Sequence, residues 1–164
     1  MSLIAIIFYA LFSTAAVTST APITTTPAVT TTVAPMSPAA YQKAMTPLLS
    51  DYMTASVKLC NPALTALNVA IQSSTTVSMT TLTQLHDCAT QLDKATSAMR
   101  KLAAPAEYAK WHGQAVPPLS QVATWVMQLD TAIQKKDAKA YFRLLFAKLP
   151  DLSKIPPPPW KASP

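Results

Sequence analysis

The stretch LTQLHDCATQLDKATSAMRKLA, residues 82–103, decides the fold class. Leu85, Cys88, Leu92, Ala95, Met99 and Leu102 recur at alternating intervals of three and four residues. That period lines up side chains along one face of an α-helix and makes the seam of a coiled-coil-like bundle. The segment SSTTVS, residues 73–78, reads as the turn before it, and Ala103-Ala104-Pro105 stops it, which predicts a helix over about residues 78–103. The composition agrees. One glycine stands against fifteen prolines, with Ala, Thr, Leu and Met filling the middle, and this mix favours helices with hard stops over strands joined by tight glycine turns.

The same pattern extends to both sides. Upstream, SPAAYQ at 37–42 places Ser37 at an N-cap and Pro38 at the first helical position. Tyr41, Met45, Leu48, Tyr52, Ala55 and Leu59 follow at helical spacing, with Pro47 offering Thr46 as an alternative cap. Asn61-Pro62 repeats the start signal before Leu64, Leu67 and Ile71, which predicts a kink or brief break there. Downstream, Tyr108, His112, Ala115, Leu119, Val122, Val126, Leu129 and Ile133 define a third helix from Pro105 to about Lys135. A fourth, DAKAYFRLLFAKL, begins at Asp137 as cap, with Tyr141, Leu145 and Leu149 on one face and Lys136, Lys139 and Arg143 on another. Four amphipathic segments with short joints predict an all-α fold, an antiparallel up-and-down four-helix bundle over residues 38–152.

The two cysteines offer a check on this arrangement. Residues that face each other across a hairpin lie equally far from its turn, and Cys60 and Cys88 each stand fourteen residues from Ser74. At about 1.5 Å of rise per residue their sulfurs come level, so a disulfide is expected between the first two helices. No Cys-x-x-Cys spacing points to a redox or metal role instead.

Composition excludes much chemistry. With one glycine the chain has no P-loop, no Rossmann fingerprint and no G-x-S-x-G elbow. Glu107 is the only glutamate, and the six aspartates are scattered singly, which argues against a di-carboxylate metal or hydrolytic site. No catalytic set can be assigned, so an enzyme is not expected. The feature that asks for an explanation is KWHGQAVPP, residues 110–118, which holds His112, the sole Gly113 and the Pro117-Pro118 pair. The prolines should bend the helix, since each removes a hydrogen bond to the residue four before it and crowds that carbonyl. His112 on the inward seam then serves as a hydrogen-bond donor toward a neighbouring helix or a buried water. Its sharper reading is a ligand to haem or copper, with Met45, Met53, Met99 or Met127 as the second ligand. His86, one residue off the seam and beside Asp87, reads as a surface residue, and no cofactor is assigned.

The ends point to a compartment. LIAIIFYALF, residues 3–12, is an apolar run of signal-peptide length followed by STAA, so residues 1–16 read as a leader cleaved near Ala15 or Ala16, although no Lys or Arg precedes the run. Residues 17–37, rich in Thr and Pro and free of charge, read as an extended spacer whose threonines are candidate O-glycosylation sites. Residues 153–164, with IPPPPW at 155–160, read as a polyproline II tail, either frayed or a ligand for an aromatic groove. Secretion, a periplasm or a cell envelope is the expected location.

Charge is uneven. The net charge is +6, and residues 135–164 hold seven Lys and Arg against two Asp. Such an end suits an anionic surface, although a run of lysines on a helix is ordinarily its solvated face. A weak membrane-surface contact through Lys136, Lys139 and Arg143 is therefore the third functional expectation, behind a protein or cell-envelope partner and the haem or copper reading, and nucleic acid is not expected. Residues 99–145 resemble uncharacterised exported bacterial helical-bundle proteins: Leu102, a Pro105-x-x-Tyr108 helix start, His112, small and apolar heptads through Ala132, then Asp137 opening a last helix. The Pro117-Pro118 pair departs from that pattern. The family carries no assigned activity, so the resemblance implies fold and export alone.

Overall fold

The computed structural model describes residues 34–160, and among them every regular element is helical. The leader, most of the spacer and residues 161–164 lie outside the described residues. Helix α1 spans Pro38–Ala55, runs without a break through a π turn at Ser56–Cys60, and continues as α2, Asn61–Gln72. Helix α3 spans Met79–Lys101, α4 Ala106–Gln134 and α5 Ala138–Leu145, with a 3₁₀ turn at Leu152–Lys154. Helix α3 packs on α1, the π turn and α2, and most extensively on α4, while α5 packs on α4.

Two caps act where the sequence placed them, at Ser37 and Asp137, and Ser78 adds a third. The side-chain oxygens of Ser37, Ser78 and Asp137 accept the backbone N–H of Ala40, Thr81 and Ala140, which satisfies donors that a helix start leaves free. Two expectations need correction. Helix α1 starts at Pro38 and carries Pro47 inside it, so Thr46 is not a cap. Pro47 and Lys43, four residues before it, are both exposed, so the crowded carbonyl falls on the wet side. At Asn61-Pro62 there is no break. The Asn61 N–H reaches back five residues to the Ser56 carbonyl, and this wider turn leaves room for the proline ring that follows. Pro117 and Pro118 sit inside one continuous 29-residue helix, in keeping with the expected third helix from Pro105 to about Lys135.

The π turn has a consequence for the core. It takes up one extra residue, which rotates everything after it by about 100°. The buried stripe thus passes from Tyr52 and Ala55 to Cys60, Ala63, Leu67 and Ala70, while Ile71, expected inside, is 42 % exposed. Cys60 ends the π turn and faces α3, where it forms a disulfide with Cys88 at a Cα–Cα distance of 5.1 Å. On α3 the seam is as read, with Leu85, Cys88, Leu92, Ala95 and Met99 buried. Helix α4 touches neighbours on more than one side, so Trp111, Val116 and Ala123 are buried as well as Ala115, Leu119, Val126 and Leu129.

Helix α5 stops at Leu145, four residues earlier than its apolar pattern suggested. The Trp125 indole donates to the Leu144 carbonyl (2.9 Å), and Pro150 disfavours helical backbone at Leu149. Beyond it the chain does not fray. Leu152, Ile155 and Trp160 pack against the core, so the folded unit runs to at least Trp160 and the tail expected from residue 153 is part of it. At the other end the unit begins at Met36, whose N–H bonds the Ala103 carbonyl (3.0 Å).

Candidate functional site

The start of α4 brings His112 against α1. Its Nδ1 lies 2.5 Å from the Tyr41 hydroxyl. Burial pushes the Tyr41 phenol up to about 12 and holds the His112 imidazole below its usual range, so both groups are neutral at pH 7. One hydrogen bond thus joins two neutral groups, and the imidazole tautomer sets which of them donates. The expected hydrogen bond of His112 toward a neighbouring helix is present.

Beside this pair lies an open groove of about 450 Å³, lined by Arg100 at the end of α3 and by His112, Gly113, Val116, Pro117 and Ser120 of α4, with Gln121 and Thr124 at its edge. Ser120 is 8 % exposed and its hydroxyl has no hydrogen-bond partner. A buried hydroxyl left unpaired costs about 1–3 kcal/mol, so this atom is an acceptor and donor held ready at some expense to the fold. The hydroxyl is not bonded to His112, and the two do not form an activated nucleophile. Gly113 adds to the same picture. A Cβ built there would meet nothing within 4 Å, so no neighbour requires glycine, although a helix-interior glycine costs about 1 kcal/mol relative to alanine. Its visible effect is to keep the groove wall low. The site thus combines apolar walls with a guanidinium and an imidazole, and counts the residue of the buried, unpaired Ser120 hydroxyl among its lining, the composition of a small-molecule pocket.

The methionines divide. Met45 and Met99 are fully buried, whereas Met53 and Met127 are 58 % and 37 % exposed and face away from the interior where a second ligand was expected. Among the described residues no group of three or more His, Cys, Asp or Glu side chains stands close enough to hold a metal ion. Lys136, Lys139 and Arg143 are all exposed at and after the α4–α5 joint, alongside Phe142 and Phe146, which are 56 % and 78 % exposed.

Two clusters were not visible in the sequence. His86 is exposed as expected, yet its Nδ1 bonds the buried Asp130 carboxylate of α4 (2.9 Å), which also accepts from Gln134 Nε2 (2.9 Å). Gln134 Nε2 also approaches Nδ1 (3.2 Å), but Nδ1–H already donates to the carboxylate, so that approach sets two donors side by side. The Asp130 hydrogen bond and charge raise the His86 pKa. The second cluster is aromatic. Trp160 from the proline-rich end stacks on Trp111 (ring centroids 4.9 Å), Tyr108 (5.2 Å) and Tyr41 (5.8 Å).

No helix among the described residues is long and apolar enough to cross a membrane. Comparison with family models, curated proteins and solved structures finds no match to this chain, so the resemblance over residues 99–145 rests on its residues alone.

Proposed function

We propose that this chain is a non-enzymatic binding domain of an exported, oxidising compartment, built as an antiparallel up-and-down four-helix bundle, whose groove beside His112 takes a small ligand with an apolar body and an anionic end. The cross-helix pairs support the topology. Met36 with Ala103 and Cys60 with Cys88 run α1–α2 against α3, and His86 with Asp130 runs α3 against α4. Tyr41 with His112 and Tyr52 with the Leu119 carbonyl run α1 along α4. The disulfide and the apolar run at 3–12 support export, since such bonds persist in oxidising compartments.

The ligand reading is carried by the partnerless Ser120 hydroxyl inside a groove whose cation is Arg100. Its volume lies within the range of about 300–1,000 Å³ common for such sites. Sodium decanoate, with decanol as the uncharged match, is a suitable probe, read by NMR on the His112 ring. A saturable shift is expected at a Kd of about 10–100 μM for decanoate and about tenfold weaker binding for decanol. Gly113→Leu should abolish the shift by filling the groove, and Ser120→Ala should weaken binding while making the unliganded fold more stable by about 1 kcal/mol. A His112 ring unmoved by millimolar decanoate, or moved equally in Gly113→Leu, sinks this reading.

A second reading, contact with an anionic membrane surface, is favoured by the exposure of Phe142 and Phe146 among Lys139, Arg143 and Lys148. It requires sedimentation with phosphatidylserine-containing vesicles that falls steeply with salt and with charge removal at Lys136, Lys139 and Arg143. Salt-independent sedimentation counts against it.

A further inference from the structure

The proline-rich end lies on a face made by Tyr41 of α1 and Tyr108 and Trp111 of α4. Two contacts hold it. The Trp111 indole N–H donates to the carbonyl of Pro156 (2.9 Å), and Trp160 wedges against all three rings. Between them Pro157, Pro158 and Pro159 are exposed. An extended proline-rich segment makes no internal hydrogen bonds, so its carbonyls are free to accept, and its fixed backbone loses little entropy on docking. An aromatic face that offers an indole N–H to a proline carbonyl is the physical basis by which proline-rich peptides are recognised in trans.

We infer that the Tyr41–Tyr108–Trp111 face is a binding site for extended proline-rich segments of another polypeptide, and that residues 155–160 are its resident ligand. The strap is tethered through residues 146–154, so its effective concentration at the face is about millimolar. A partner segment must compete with that concentration, or arrive where the strap has been loosened. None of these three residues lines the His112 groove, and although Tyr41 bonds His112 the two readings are tested on different reporters, the Trp111 indole here and the His112 ring there.

The test uses the full chain carrying Trp160→Ala, which removes the wedge and leaves the face intact. The Trp111 indole N–H resonance is followed by NMR while two peptides are added, the hexapeptide IPPPPW and a proline-rich peptide of unrelated sequence, with a Gly-Ser peptide as control. Both proline-rich peptides should bind with a Kd of about 100 μM, and about tenfold more weakly to the unmodified chain, where the strap competes. Adding Trp111→Phe, which keeps a ring and removes the N–H, should weaken binding about tenfold, read now on the Tyr108 ring resonances of the same face, with the helical circular dichroism unchanged. Should Trp160→Ala disturb the helices, Pro157→Gly with Pro158→Gly loosens the strap through exposed positions only, and the same titration applies. An indole resonance that stays still at about 5 mM of either peptide overturns the proposal. So does binding of IPPPPW alone, since the face is then a latch for this chain's own end.

Discussion

At the scale of single residues, the two histidines have opposite surroundings and oppose each other in pH dependence. The His86 imidazolium is favoured by its hydrogen bond to Asp130, by the charge of that carboxylate and by Asp87, so its folded pKa is raised. The stability it contributes is complete below its unfolded pKa, near 6.5, and is lost as pH rises through the folded value. Burial lowers the pKa of His112, so its contribution is complete above about 6.5 and is lost as pH falls through its folded value. Replacing His86 by Gln should therefore destabilise the chain more at about pH 5 than at about pH 9, as measured by urea unfolding at both. Equal loss at the two pH values would mean that the Asp130 contact carries no proton linkage. The sequence placed His112 on an inward seam because its neighbours in that stripe are apolar at helical spacing. It could not join His86 to Asp130, because that contact depends on how α3 and α4 are rotated about their own axes, which no local pattern records. The partnerless Ser120 was hidden for the same reason: a serine on a helix reads as solvated until the neighbouring helix is in place.

At the scale of elements, the ends of α2 and α4 are closed in the same way, each without glycine. At the end of α2, Thr75 N–H bonds the Ala70 carbonyl and Ser74 N–H the Ile71 carbonyl, with Ser74 at φ 51°. At the end of α4, Asp137 bonds Ala132 and Lys136 bonds Ile133, with Lys136 at φ 53°. These are Schellman closures whose left-handed position ordinarily holds glycine. A side chain there costs about 1–2 kcal/mol, of which glycine would return part, since it loses more backbone entropy on folding. Ser74→Gly and Lys136→Gly should each stabilise the chain by about 0.5 kcal/mol, additively because the two ends are separate. Denaturant midpoints would report this, and a loss at Lys136 would reveal a role for its side chain beyond the cap. The helix starts at Ser37 and Asp137 were legible because these residues act through hydrogen bonds local to a few residues. Continuity through Pro47 and Asn61-Pro62 was not, because it is decided by tertiary burial. Two interior prolines cost about 6 kcal/mol, whereas burying five large side chains on α4, Trp111, Val116, Leu119, Val126 and Leu129, gains about 8–15 kcal/mol, so the helix persists.

At the scale of the whole molecule, one cross-link ties the two arms of the first hairpin at the middle of the buried seam. Cys60 and Cys88 are 2 % and 0 % exposed, and their separation of 28 residues sets the loop that the bond closes in the unfolded chain. Loop-closure entropy for that span amounts to about 3–4 kcal/mol, a large part of the roughly 5–15 kcal/mol typical of a domain. Because both sites are buried, Cys60→Ala with Cys88→Ala is a cleaner comparison than serine, which would add two unsatisfied hydroxyls. The double variant, and the wild-type chain under reductant, should both remain helical at room temperature and melt on the order of 10 °C lower. The π turn fits this expectation, since the residue it takes up rotates Cys60 toward α3 along with the stripe of Ala63, Leu67 and Ala70. Equal melting of oxidised and reduced protein would show that the hairpin is held by its apolar seam alone, and the argument from the disulfide to an oxidising compartment would lose its energetic basis.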